Sequence, residues 1–262
     1  MREAATPRVL CVGTHHKTGT VWMRTVFRAL AAALDAPVLP LHRPAKWSRI
    51  PKEGRAVVLN WAGTFAPEVF AMPDARFLHV IRDPRDVLLS GARYHETTEM
   101  GTERDLARPR ARFGGLSYLE AIRALPTFEE KLAFEMEGRH AEVLREMLAW
   151  PYGHPSAVDL RYEDLIVDTR GDLFVRALER LGLEEAERET GRRVFVENSL
   201  FGGKAADEGR QRTHVASGRP AQWLTKLPPA TAALYAERHT ADLIALGYED
   251  GPGWTGRLAF EG

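Results

Sequence analysis

One cysteine, Cys11, stands among the 262 residues, so the chain has no internal disulfide. It sits in the apolar run Val9-Leu10-Cys11-Val12, where a free thiol reads as a small buried hydrophobe. No stretch approaches the ~20 apolar residues of a membrane helix. Met1 to Pro7 has no apolar core of signal-peptide length. The expectation is a cytoplasmic protein with no integral membrane segment. Charge of one sign is also lacking: 36 Lys and Arg balance 36 Asp and Glu. Without a global field there is no general pull toward nucleic acid or an anionic membrane, and no nucleic-acid partner is expected. Any anion site must come from local basic groups and backbone N–H groups. No His/Cys/Asp cluster has metal-ligand spacing, and the adjacent His15 and His16 would point apart in an extended loop, so no metal is expected. Internal repeats, low-complexity tracts and linkers are absent, so residues 1–262 read as a single domain. Nothing in the sequence sets an oligomeric state.

What is present alternates between strand and helix. Residues 8–12, 56–60, 76–81 and 157–160 are short apolar runs with β-branched character and read as buried strands. Residues 18–34 carry Val21, Trp22, Val26, Phe27, Leu30 and Leu34 at helical spacing. Helices are also expected at 84–94, with Asp83 as N-cap and Pro84 in the first turn, and at 116–150 with a break at Pro126. Further helices are expected at 170–181, 186–197 and 229–245, and a short one at 67–72. The alternation implies an α/β fold with a central parallel sheet flanked by helices. Residues 100–115, polar and carrying Arg104, Arg108, Arg110 and Arg112, read either as a mobile lid loop or as a solvated excursion.

The most informative segment is Gly13-Thr14-His15-His16-Lys17-Thr18-Gly19-Thr20-Val21-Trp22, between the first strand and the first helix. Backbone N–H groups and the helix dipole favour an anion there, Lys17 adds a point charge, and Gly19 permits close backbone approach. A Walker A loop places Lys after its last Gly; here Lys17 precedes Gly19. The third strand ends Ile81-Arg82 rather than in a Walker B Asp, which disfavours a P-loop kinase or NTPase. A second motif, Leu78 to Ser90, places Arg82 at a strand's C-terminal end, where ligands gather in open α/β sheets. Ser90 follows two helical turns later.

Lys17-Thr18-Gly19-Thr20 together with Arg82 and Ser90 resemble the 5′-phosphosulfate loop and 3′-phosphate motif of sulfotransferases that use 3′-phosphoadenosine-5′-phosphosulfate (PAPS). The resemblance implies a P-loop NTPase-like sulfotransferase fold, PAPS as co-substrate, 3′-phosphoadenosine-5′-phosphate (PAP) as product, and no metal. It places Lys17 at the bridging oxygen, with Thr18, Gly19, Thr20 and Val21 around the 5′-phosphate. Arg82 and Ser90 take the 3′-phosphate. Trp22 falls where an aromatic packs on adenine, and helix core explains it equally. Tyr162, in Tyr162-Glu163-Asp164, and Ser199, in Asn198-Ser199-Leu200, fall at nucleotide-proximal positions of the family. Its basic-basic-Gly stretch before a Trp corresponds to Ala216-Ser217-Gly218 and Trp223, which keeps the spacing and loses both cations; Arg219 or Arg212 are candidate substitutes.

The implied activity is in-line sulfuryl transfer to a hydroxyl (or amine) of an unidentified small-molecule acceptor. The family's usual base position falls on Asn60, which cannot accept a proton but could hydrogen-bond the acceptor or a sulfuryl oxygen. His42 ranks first among replacement bases, ahead of His15 and Glu96; an exposed loop histidine is the plain alternative for His42. A non-catalytic PAP-binding protein on the same fold is the rival reading.

Overall fold

The computed structural model describes residues 7–42, 44–200 and 218–260. It divides into two compact units, one formed by Met1–Arg82 with Ala149–Arg219, the other by Asp83–Leu148 with Pro220–Gly262.

The first unit holds a five-stranded sheet: β1 (Val9–Gly13), β2 (Val38–Pro40), β3 (Ala56–Asn60), β4 (Ala75–Ile81) and β5 (Ala157–Arg161). Every pairing is parallel and the order is β2-β3-β1-β4-β5. The strands are apolar on both faces because both faces are covered. On one, Leu10, Val12, Leu59, Leu78, Val80 and Leu160 pack against Met23, Phe27 and Leu30 of α1 (Thr20–Ala33). The same cluster takes in Phe174 and Phe195 from two helices that follow β5. On the other, Val9, Cys11, Val58 and Phe77 pack with Trp47, Phe65 and Trp150.

The four expected strands form. β2 was not expected: three residues are too few to show a period, and an edge strand tolerates its terminal Pro40. Between β3 and β4, α2 (Pro67–Phe70) begins on a proline. A helical turn at Tyr162–Val167 leaves β5 directly, with Glu163 and Asp164 in its first turn where carboxylates suit the dipole.

The second unit is helical. It opens on α3 (Pro84–Thr97), whose N-cap Asp83 accepts from the Arg85 N–H at 2.9 Å. Residues 116–150 break at Pro126 as expected and once more at Gly138, giving α4 (Tyr118–Ala124), α5 (Phe128–Glu137) and α6 (Arg139–Leu148). A Cβ at Gly138 would fall 2.6 Å from the Tyr118 ring, so this second break is a place where only glycine fits. Ser117 with Glu120 and Thr127 with Glu130 close capping boxes on α4 and α5. After β5 in the first unit come α7 (Tyr162–Val167), α8 (Asp172–Arg180) and α9 (Glu185–Glu197). Helices Trp223–Lys226 and Pro229–Ala245 complete the second unit. There Arg85 is 1% exposed, with its guanidinium 3.6 Å from the Trp223 ring and ion-paired to Asp83 and Glu249. Segment 100–115 is turn and 3-10 structure: Arg110 N donates to Leu116 O at 3.0 Å, and Phe113 packs 5.4 Å from Phe134. Among the described residues no helix is long and apolar enough to cross a membrane.

Phe174 is fully buried and stacks on Phe195 at 4.5 Å. Phe174→Ala is expected to lower unfolding free energy by about 3–5 kcal/mol, the range for deleting a buried aromatic, read from urea denaturation.

Candidate functional site

Gly13 of β1 pairs with Asn60 of β3 and His79 of β4, so these strands end nearly level. The loop leaving β1 closes on itself at that edge. Thr14 N donates to Asn60 O at 3.0 Å. The His15 carbonyl accepts from Thr18 N at 3.1 Å, Thr18 Oγ1 at 3.0 Å and Thr20 Oγ1 at 2.6 Å. In return His15 N donates to Thr18 Oγ1 at 2.8 Å. Two residues of this turn are left-handed, Lys17 (φ 66) and Gly19 (φ 94), the second being the N-cap of α1. Alternation of this kind builds anion-binding backbone nests. The first turn of α1 carries no acidic residue to oppose an anion. Gly19 also lies close to Tyr162: a Cβ there would fall 3.1 Å from Tyr162 Cδ2.

Arg82, at the end of β4, is 5% exposed. Its guanidinium donates to Lys17 O at 3.2 Å and Arg219 O at 3.4 Å, and lies 4.5 Å from the Tyr162 ring centroid. Tyr162 OH donates to Gly218 O at 2.7 Å. Within the first unit, Lys17, Thr18, Gly19, Thr20, Arg82, Tyr162 and Gly218 are therefore one connected group. Val21 is exposed, whereas Trp22 is buried against Tyr162 and Phe195. Ser199 is half-buried in the turn after α9, where Asn198 Nδ2 donates to Val194 O. Ser90 lies in the second unit, half-buried on α3. Arg212, Ala216 and Ser217 fall outside the described residues.

The base candidates have distinct surroundings. His42 is exposed; its Nδ1 accepts from Trp61 N at 3.4 Å and its ring lies 4.3 Å from the Trp61 ring. Partial burial, then the Lys46 charge, hold its pKa below the usual histidine value. Asn60 is fully buried, and its amide serves the following loop: Oδ1 accepts from Ala62 N at 2.9 Å and Nδ2 donates to Thr64 O. Glu96 belongs to the second unit and pairs with Lys131 at 2.7 Å. His15 is fully buried.

Sequence reasoning missed two residues beside this loop. His79 on β4 and Asp159 on β5 are polar interruptions of apolar strands, and the register sets them opposite each other. His79 Nδ1 is 3.1 Å from Asp159 Oδ1, and His79 Nε2 is 2.8 Å from His15 Nε2. Burial pushes the His79 pKa down to about 4, only partly offset by Asp159.

Compared with solved structures, the chain is similar to mouse sulfotransferase SULT7A1 complexed with PAP: TM-score 0.56, 13% identity, covering 98% of this chain and 92% of that one. It is similar to retinol dehydratase in complex with androsterone and inactive cofactor PAP: TM-score 0.56, 16% identity, covering 92% and 82%. A retinol dehydratase complex with retinol and PAP gives a TM-score of 0.53 at 14% identity, with coverage of 92% and 82%. The chain has the sulfotransferase-like α/β fold. No protein-family profile and no curated protein matches the sequence.

Between pH 6.5 and about 4 the unfolded chain binds more protons at residue 79 than the folded chain does. Stability from this site is therefore complete above pH 6.5 and lost as pH falls through about 4. The urea midpoint of the protein is expected to drop across that window, and to drop less in His79→Gln; equal slopes would contradict it.

Proposed function

We propose that the chain transfers the sulfuryl group of PAPS to a hydroxyl or amine of a small-molecule acceptor by in-line displacement. The observation that carries this reading is the Lys17–Thr20 turn at the exit of β1, tied to the Arg82 guanidinium through the Lys17 carbonyl. The donor set fits a doubly phosphorylated nucleotide: an ammonium, a guanidinium, threonine hydroxyls and helix-start amides are all donors or cations. The folds of the PAP-bound neighbours support it.

PAPS supplies the sulfuryl group, and PAP is the leaving product. In this reading Lys17 stabilises charge on the bridging oxygen as the S–O bond to phosphate breaks. The amides and hydroxyls of Thr18, Gly19, Thr20 and Val21 hold the 5′-phosphate. Arg82 takes the 3′-phosphate, while Tyr162, Ser199 and Gly218 border the nucleotide and Trp22 packs beneath it. His42 accepts the acceptor's proton as the new S–O or S–N bond forms. Its depressed pKa keeps it neutral, and so basic, at neutral pH. Most of the rate then comes from alignment and electrostatics rather than covalent chemistry.

A PAP-binding protein without transfer activity is the second reading, and Asn60 favours it, since its amide is committed to the loop that follows β3. PAP should raise the melting temperature under both readings and ATP with Mg²⁺ should not; radiolabelled sulfuryl transfer across an acceptor panel separates them.

Lys17→Ala is expected to abolish transfer in a sample that still shows wild-type circular dichroism. His42→Ala is expected to lower kcat by ~10²-fold, the scale of a positioned base; a change under about threefold removes His42 from that role.

A further inference from the structure

We infer that Asp159, His79 and His15 form a hydrogen-bonded line that fixes the phosphate loop, making His79 and Asp159 positioning residues for the bound nucleotide. The inference rests on the proposed function for the ligand, and on geometry alone for the loop.

While His79 is neutral, as its pKa of about 4 makes it near pH 7, the line has one proton arrangement. The Asp159 carboxylate only accepts, so His79 Nδ1 carries the hydrogen directed at it, 3.1 Å away. His79 Nε2 then presents a lone pair, and His15 Nε2–H donates to it across 2.8 Å. With both rings protonated, two N–H groups would face each other over that distance. The ring of His15 is thus pinned from the sheet, while its main chain is the hub of the loop through four hydrogen bonds with Thr18 and Thr20. One residue couples the two systems.

The surroundings hold both rings in place. Trp150 stacks on His79 at 4.0 Å with 15° between planes. Gly63 is left-handed (φ 61), and a Cβ there would fall 2.5 Å from His15 Cε1. Gly13 leaves similar room, with Gly63 Cα 3.3 Å and His79 Cδ2 3.6 Å from its would-be Cβ. The Asp159 side chain is 30% exposed, so the line runs from solvent to the buried loop. The titratable groups around His79 are His15 on the loop, Asp159 and, two residues on along β5, Arg161, and Tyr152 with its ring at 5.7 Å. β1 contributes Cys11, whose thiol burial keeps neutral.

The test compares wild type with His79→Phe, which keeps a ring and removes both bonds, His79→Gln, which keeps an acceptor toward His15, and Asp159→Ala, which removes the acceptor at the outer end. Amide exchange of residues 14–20 is measured without nucleotide, and PAP affinity by calorimetry at pH 7.5. In His79→Phe the loop amides should exchange about tenfold faster and PAP bind about tenfold more weakly, the scale of one lost buried hydrogen bond. His79→Gln should recover part of both effects. Loop exchange in His79→Phe within about twofold of wild type overturns the inference. If His79→Phe does not fold, Asp159→Ala decides by the same loop readout, and exchange unchanged there overturns it. If wild type fails to bind PAP, the proposed function falls, and loop exchange alone judges the line.

Discussion

The His15 carbonyl is the point on which the first unit's loop closes. A strand that ends at Gly13 and a helix that begins at Thr20 leave six residues to reverse the backbone and present amides outward. Three donors converging on one oxygen do this without large side chains, and two left-handed residues absorb the turn. Thr18 and Thr20 therefore have structural work in the loop, besides any they perform toward a ligand. Lys17, half-exposed just before them, takes its left-handed backbone from the same turn.

Arg82 extends the same economy. It is buried at the end of the neighbouring strand, where an isolated cation would be costly. Two carbonyl acceptors and the face of Tyr162 offset that cost, and one of those carbonyls belongs to Lys17. Those three partners carry no formal charge, so none of them cancels that of the guanidinium. The second unit shows the contrast: Arg85, three residues later, is pinned between two carboxylates and two tryptophans as a structural cation.

Much of the fold was legible because a covered parallel sheet writes itself as apolar runs, and β1, β3, β4 and β5 do so without interruption by Pro or Gly. β2 escaped because its three residues carry no period, and the turn Tyr162–Val167 because only its acidic first turn marks it. Within the site, Lys17 and Arg82 were readable from residue order and strand position. His79 and Asp159 were not, although each is a polar residue inside an apolar strand: what joins them is register, a property of three-dimensional pairing. Asn60 shows the converse limit. Its position suggested chemistry, while its side chain closes the turn that follows it, a local habit of Asn that Gly63 three residues on accompanies.

Cys11 lies fully buried in the middle strand, flanked by Val58 and Phe77, and burial raises its pKa well above the ordinary thiol value. As the sole sulfhydryl, it gives thiol reagents nothing to attack while the sheet is intact. Alkylation of this one atom would therefore time the opening of the protein's innermost strand, a reporter already carried by the native sequence.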